Sequence, residues 1–192
     1  NGAEGATSTT DSSNANHSII FNGDANISQG QFKLGNASAG FDGSGDFLNI
    51  TDSSDWAFGT GDFTLDVWVY WASLNSGVIM SQGTDGSNTF RLSGAASGKL
   101  EFIATGTSIS LNSPTGLISA GTWYHIAAVR NGDDFKIYLD GGEVVAQTDS
   151  TAWPNYISSF TIGIRDYIDG IDSPFNGFID ELRISHLSFF NT

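Results

Sequence analysis

Residues 123–141, WYHIAAVRNGDDFKIYLDG, decide the fold, because they predict a β-hairpin between two buried strands. Residues 123–130 and 135–138 each alternate between two faces, and a period of two is the pattern of a β-strand. The residues between them, 131–134 (NGDD), are types that favour a tight turn. The first strand carries groups to be covered on both faces: Tyr124, Ile126 and Ala128 on one, and Trp123, His125, Ala127 and Val129 on the other.

Residues 63–71, FTLDVWVYW, predict the strongest further strand. Bulky groups on both sides favour a position in the middle of a sheet, either with each face covered or with one face lining a groove. One face carries five apolar residues and the other carries two aromatic ones: Phe63, Leu65, Val67, Val69 and Trp71, opposite Trp68 and Tyr70.

About a dozen such segments, separated by glycine-rich turns, predict an all-β protein. Strands this numerous must stack to hide their apolar faces, so the expected fold is a two-sheet antiparallel β-sandwich. The only helical signal is a single capped turn at residues 52–55, before Trp56. We expect residues 18–192 to form one domain and residues 1–17 to be an irregular N-terminal segment or linker. The other predicted strands are residues 18–21, 46–51, 78–81, 89–93, 100–104, 108–111, 144–147, 159–164 and 178–185.

The charge balance excludes several classes of partner. The chain has 21 acidic and 7 basic residues, a formal net charge of −14, so phosphate backbones and anionic lipid surfaces repel it. No apolar run approaches the roughly 18 residues of a spanning helix, and we expect no membrane insertion. There is no cysteine, which removes disulfides and thiolate metal sites. Aspartates near glycines suit Ca²⁺, although solubility alone also explains them.

Five motifs together resemble the laminin-G-like, concanavalin A-like jelly-roll domains. The upstream residues 10–28 and 32–41 are similar to the version of this domain found in bacteriophage tail or virion proteins and in large bacterial surface proteins. The motifs follow the order of the family: FDGSGDFLNI (41–50), GTGDFTLDVWVYW (59–71), GTWYHIAAVRNGDDFKIYLDG (121–141), TIGIR (161–165) and NGFIDELRIS (176–185).

The resemblance implies a jelly roll whose members mostly bind glycans, cell-surface polymers or other proteins, often with Ca²⁺. It also implies an extracellular, cell-surface or virion location. The same fold holds glycan-cleaving enzymes, so the site must be argued separately.

The residues argue against an enzyme. Retaining glycoside hydrolysis needs two carboxylates about 5–5.5 Å apart. The sequence has four glutamates, which are scattered along the chain: Glu4, Glu101, Glu143 and Glu181. It contains no G-x-S-x-G nucleophile elbow, no H-E-x-x-H zinc-binding motif and no glycine-rich phosphate-binding loop. A glycan-active enzyme is therefore the weakest of the functions considered.

Calcium needs six to eight oxygen ligands, several of them carboxylates. Asp46 and Asp180 lie within the motifs of the resemblance and are the first candidates, and Asp169 and Asp172 are the second. Asp180 would be costly to bury without a partner, so a salt bridge to Arg183 and a bound cation are both open.

A glycan site needs an aromatic ring to stack on the sugar and polar groups to bond its hydroxyls, normally on loops. The candidate aromatic residues are Trp153, Tyr156 and Tyr167, and the candidate polar residues are Asp85 and Asn88. The alternative for Trp153 and Tyr156 is that they simply pack over an edge of the sandwich.

The sequence thus predicts a non-catalytic binding or adhesion module of a larger extracellular or virion protein, with a glycan as the favoured ligand. The alternative is a structural or assembly domain that contacts neighbouring protein subunits.

Overall fold

The computed structural model describes residues 2–167 and 170–187, and these form a β-sandwich. The predicted all-β class is confirmed: the described residues contain sixteen strands and a single 3₁₀ turn, Ser54–Trp56, but no α-helix. The side chain of Ser53 caps that turn by accepting from the backbone N–H of Asp55. The strands are β1 (Ile19–Asn22), β2 (Asn26–Ser28), β3 (Ser38–Asp42), β4 (Phe47–Ile50), β5 (Phe63–Trp71), β6 (Val78–Asp85), β7 (Asn88–Gly94), β8 (Leu100–Ala104), β9 (Ser110–Asn112), β10 (Trp123–Asn131), β11 (Asp134–Leu139), β12 (Gly142–Thr148), β13 (Phe160–Ile162), β14 (Arg165–Tyr167), β15 (Gly170–Asp172) and β16 (Asn176–Ser185).

Two sheets of seven strands make up the sandwich. Sheet A has the order β1-β4-β13-β6-β7-β8-β9, and sheet B has the order β12-β11-β10-β5-β16-β3-β2. Every strand pair within them is antiparallel. Strands β14 and β15 form a separate hairpin. Neighbours in sheet B come from distant parts of the chain, so this sheet brings residues from both ends of the sequence onto one surface.

The predicted central hairpin is confirmed. Asn131 pairs with Asp134 at its tip, and Gly132 takes a positive φ of 60° in the two-residue turn between them. Strand β5 lies between β10 and β16, in the middle of sheet B. The five apolar residues predicted to share its inner face are all 0% exposed, and they form the centre of the core: Phe63, Leu65, Val67, Val69 and Trp71.

The N-terminal residues 2–17 contain no strand or helix, yet they lie against the sandwich. The backbone N–H of Gly5 donates to the carbonyl of Ile27 in β2, and the N–H of Ile27 donates to the carbonyl of Ala6, both at 2.8 Å. His17 at the end of this segment contacts the carboxylate of Asp55 at 2.9 Å. In the two described ranges, no helix is long and apolar enough to span a membrane.

Candidate functional site

The outer face of sheet B carries a row of aromatic rings across three neighbouring strands. Because alternate residues of β5 point outward, Tyr70 lies on this face, and the strand register places Phe178 of β16 and Trp123 of β10 on either side of it. The ring centroids of Tyr70 and Trp123 are 5.6 Å apart, and those of Tyr70 and Phe178 are 5.9 Å apart. All three rings are partly exposed. We call Phe178, Tyr70 and Trp123 the aromatic row.

A second line of side chains runs beside the aromatic row. Trp68 of β5 packs against His125 of β10 with ring centroids 5.1 Å apart, and both are partly exposed. The ammonium group of Lys33 lies 4.2 Å from the centre of the Trp68 ring, a cation–π contact. The rings on this face are therefore accompanied by hydrogen-bonding and positively charged groups.

Beside Trp68 and His125, the outer face of sheet B carries a buried carboxylate. Asp66 of β5 is 3% exposed. Its oxygens accept from Nε and Nη2 of Arg183, both at 3.0 Å, and lie 3.2 Å from Nε2 of His125. Burial raises the pKa of Asp66, but the hydrogen bonds from His125 and Arg183 and the charge of Arg183 outweigh it and hold the pKa below its ordinary value. Asp66 therefore stays ionised and paired at neutral pH.

A β-bulge brings Arg183 to this cluster. Asp180 of β16 pairs with Trp68, whereas Arg183 pairs with Asp66, so three steps along β16 match two steps along β5. The extra residue turns Arg183 to the outer face, where regular alternation from Asp180 would have pointed it inward. Glu181 within the bulge has a φ of 50°, a left-handed conformation that is uncommon outside glycine.

Replacing Asp66 with asparagine is expected to lower the free energy of unfolding by about 1–3 kcal/mol at neutral pH, because the variant loses charge-assisted hydrogen bonds. Since the folded pKa of Asp66 lies below its unfolded value, this contribution is present above about pH 4 and is lost as the pH falls through the folded pKa. Urea unfolding of both proteins between about pH 3 and pH 7 measures the gap. A gap that widens toward acid would contradict this account.

The loop between β2 and β3, residues 29–37, forms a wall beside the rings. The Trp123 indole N–H donates to Oε1 of Gln31 at 3.3 Å. Asp180 of β16 is hydrogen-bonded to the same loop. Its Oδ2 accepts from the backbone N–H groups of Lys33 at 2.8 Å and Leu34 at 3.0 Å. The loop is thus bonded to β10 through Trp123 and to β16 through Asp180.

A cavity of about 820 Å³ opens beside the Asp66 cluster. Its lining includes Trp68, His125 and Arg183 from the outer face, and it continues past the bulge to apolar residues such as Ile50 and Ile179. Trp68 and His125 therefore border both the cavity and the aromatic row, which lies outside the lining of the cavity.

Trp153 and Tyr156, the candidate sugar-stacking residues, are both buried. They are only 3% and 1% exposed, because both rings fill the space between the two sheets. Trp153 stacks on Phe102 with centroids 5.7 Å apart, and the Tyr156 hydroxyl donates to the carbonyl of Thr105 at 2.6 Å. Burial raises the pKa of this Tyr156 hydroxyl. Their burial leaves neither ring open to a sugar, and both pack between the two sheets rather than over an edge of the sandwich.

The other sequence-predicted ligand residues lie apart from the aromatic row. Asp85 and Asn88 are at the tip of the β6–β7 hairpin in sheet A. The Asp85 carboxylate accepts from the backbone N–H and hydroxyl of Ser87 at 2.8 and 2.6 Å, which stabilises the turn. Tyr167 ends β14, on the small hairpin outside both sheets. Their roles in binding stay predictions.

The two first-choice calcium ligands have backbone partners. Oδ1 of Asp46 accepts from the N–H of Asp24 at 2.6 Å, and Oδ2 accepts from the N–H of Asp42 at 2.9 Å. Asp180 accepts two N–H groups from the loop and a third from Glu181 at 2.9 Å. Donors at these positions satisfy the buried oxygens without a cation. Arg183, the alternative partner of Asp180, bonds to Asp66 instead.

The second-choice calcium ligands do not add to a centre in the described part of the chain. Asp172 is exposed and pairs with Arg165, while its other oxygen accepts from the hydroxyl of Ser173 at 3.0 Å. Asp169 lies outside the described residues. Within residues 2–167 and 170–187, no three His, Asp or Glu side chains come together in a group that could hold a metal ion. The described residues do not fit a calcium centre built on Asp46 and Asp180.

Sequence reasoning identified part of the aromatic row but did not recognise it as a site. The bulky outer residues Trp68 and Tyr70 gave the signal, since a groove-lining face was one of two options for residues 63–71. Trp123 was expected on a covered face, and Phe178 was only the first residue of a predicted strand. The row became visible through strand pairing over more than 100 residues of sequence.

Comparisons with known proteins agree with this fold. The chain is similar to domain 4 of AbnA, a GH43 extracellular arabinanase from Geobacillus stearothermophilus, solved with arabinotriose: the TM-score is 0.65 at 21% identity, covering 90% of this chain and 83% of that one. For the botulinum neurotoxin serotype G binding domain the TM-score is 0.68 at 14% identity, covering 94% of this chain and 45% of that one. For the CBM40 of Ruminococcus gnavus IT-sialidase, bound to α2,3-sialyllactose, the TM-score is 0.59 at 15% identity, covering 69% and 79%.

At these identities the structural likeness establishes the fold alone, and the chain spans less than half of the toxin domain. No curated protein matches the chain significantly. A family model does match it, over residues 42–189, which is well over half of the sequence. The chain therefore belongs to the concanavalin A-like lectin/glucanases superfamily, as a laminin G-like domain.

Proposed function

We propose that this domain is a non-catalytic glycan-binding module of an extracellular protein, and that it binds its ligand on the outer face of sheet B. The observation that carries the proposal is the aromatic row, three partly exposed rings on adjacent strands with polar groups beside them. Apolar rings left open to solvent on a rigid sheet offer the stacking surface that the C–H face of a sugar requires.

The geometry of the row suits a ligand that touches several rings. The ring planes of Trp123 and Phe178 are tilted by 53° and 64° from that of Tyr70. Each ring therefore presents its own contact surface. Gln31, His125 and Lys33 at the border supply donors and acceptors that can fix the orientation of sugar hydroxyls.

The electrostatics of the face support binding rather than catalysis. A glycosidase acid needs a raised pKa so that it holds a proton at neutral pH. Asp66 is more deeply buried than Asp180 on this face, and its pKa lies below the ordinary value because its bonds to His125 and Arg183 outweigh the effect of burial. A carboxylate held in this way is a poor proton donor.

The similar solved structures also support glycan binding. AbnA domain 4 was solved with arabinotriose and the CBM40 with sialyllactose, and the toxin fragment is a binding domain. Two of these come from proteins described as extracellular or as toxins, which supports an extracellular setting for this domain. A virion setting rests on the sequence resemblance alone.

A glycan array probed with the purified domain is expected to give a defined set of binders. Because the described carboxylates do not form a calcium centre, we expect the same signals with and without EDTA. Loss of all binding in EDTA would restore the calcium prediction. No binding, together with concentration-dependent oligomers in sedimentation velocity, would favour the assembly alternative.

A further inference from the structure

We infer that the glycan carries a carboxylate group and that Lys33 selects it. This rests on the proposed function and goes beyond it, since stacking on the aromatic row alone does not distinguish acidic from neutral sugars. The ligand class is a sugar acid, such as a uronic or sialic acid residue within an oligosaccharide.

Lys33 is a cation that contacts an aromatic ring and has no carboxylate partner among the described residues. With 21 acidic and 7 basic residues, carboxylates are abundant, yet within the described residues the Lys33 ammonium forms no ion pair, and its partner is the face of Trp68 at 4.2 Å. The side chain is exposed. Four other cations are each within 4 Å of a carboxylate: Lys99, Lys136, Arg165 and Arg183.

The neighbouring acids are already engaged. Asp66 bonds to Arg183 and His125, and Asp180 accepts three backbone N–H groups. The hydrogen bonds that Arg183 donates to Asp66 are the main reason that the pKa of Arg183 is raised, with a smaller contribution from the charge of Glu181. Among the described residues of this face, the ammonium of Lys33 is therefore a positive group with no carboxylate within ion-pair distance.

The position of Lys33 is set by the fold. Its backbone N–H and that of Leu34 bond to Asp180 in β16, while Gln31 two residues earlier meets the indole of Trp123. The loop is thereby held so that its one lysine projects over Trp68, in the line of side chains next to the aromatic row. A sugar stacked on Tyr70 and Trp123 would bring an acidic substituent to this border.

Titration against paired oligosaccharides tests the inference. One member of each pair contains a uronic or sialic acid sugar. The other member is its neutral counterpart, in which the carboxyl group has been reduced or the sialic acid has been removed. An exposed ion pair contributes up to about 1 kcal/mol, so we expect the acidic member to bind about five-fold tighter at 0.15 M salt, where a screening length of about 8 Å weakens the repulsion from the other acidic residues of the chain. The preference should fade near 1 M salt, where the screening length is about 3 Å.

The variants Lys33→Gln and Lys33→Arg test whether Lys33 causes the preference for the acidic member. Lys33→Gln should bind both members of each pair with about equal affinity, and Lys33→Arg should retain most of the preference for the acidic member. Lys99→Gln is the matched control, because Lys99 pairs with Glu101 in sheet A. It should behave as the wild type does.

The outcomes separate this inference from the proposed function. Equal affinity for both members of every pair, or an unchanged preference in Lys33→Gln, overturns the role of Lys33 and leaves glycan binding standing. If neither member binds to the wild type, the proposed function fails and the selectivity for sugar acids fails with it.

Discussion

Trp153→Ala is expected to lower the free energy of unfolding by about 3–5 kcal/mol, the usual cost of removing a large buried aromatic side chain. Trp153 is 3% exposed and lies among aromatic rings from both sheets. It stacks on Phe102 with centroids 5.7 Å apart and meets Phe63 edge-on at 4.9 Å. Alanine would leave a cavity that these rigid rings cannot fill. Guanidinium unfolding followed by far-UV circular dichroism measures the change.

Trp153→Phe is the matched control for this loss. It keeps an aromatic ring in place and removes the indole N–H, which is buried and has no hydrogen-bond partner among the described residues. We therefore expect it to cost clearly less than Trp153→Ala. A loss below about 1 kcal/mol for the alanine variant would contradict the central position of this ring. Loss of glycan binding by a Trp153→Ala protein that is still fully folded would revive the sequence-based ligand role.

Trp123→Ala and Tyr70→Ala are each expected to weaken glycan binding about 30-fold or more, the effect of losing about 2 kcal/mol at a binding hot spot. Their rings are 5.6 Å apart and partly exposed, so truncation removes stacking surface while the inner core of β5 stays intact. Isothermal titration against the best ligand from the array measures the affinity.

Asp85→Ala and Asn88→Ala are the controls for the aromatic row. They alter the polar turn of the β6–β7 hairpin, in sheet A, where the sequence had predicted ligand contacts. We expect their affinities to match that of the wild type. A large loss in the hairpin variants with none in Trp123→Ala would place the ligand on the other sheet.

The strands that the sequence predicted well are those whose signal is local. Residues 63–71 and 100–104 were predicted with the bounds that the structure has, because bulky residues alternate within each segment. Strands β2 and β3 were not predicted. Asn26–Ser28 is short, and Ser38–Asp42 contains small residues and a glycine. Both are extended because they pair with each other and with β16, which is a contact at long range.

The recurring F-[ND]-G sequence illustrates the same limit. It occurs at residues 21–23, 41–43 and 175–177, and each copy predicts a strand-to-turn boundary. Gly23 and Gly43 do have positive φ values of 67° and 85° in turns. Gly177, in contrast, lies inside β16, where an added Cβ would meet the carbonyl oxygen of Tyr70 at 2.0 Å. In that copy glycine is required by the close approach of the neighbouring strand.

The sequence by itself determined the all-β class, the central hairpin and the position of β5 in the middle of a sheet, because alternation with a period of two is set by neighbouring residues. It did not determine which aromatic rings are open. Trp153, in a loop, is buried by rings from both sheets, whereas Trp123, in a strand, faces outward. Only the tertiary structure decided this, since exposure depends on which distant strands pack over a residue. The bulge in β16 likewise turns Arg183 toward Asp66, and local alternation does not encode that step.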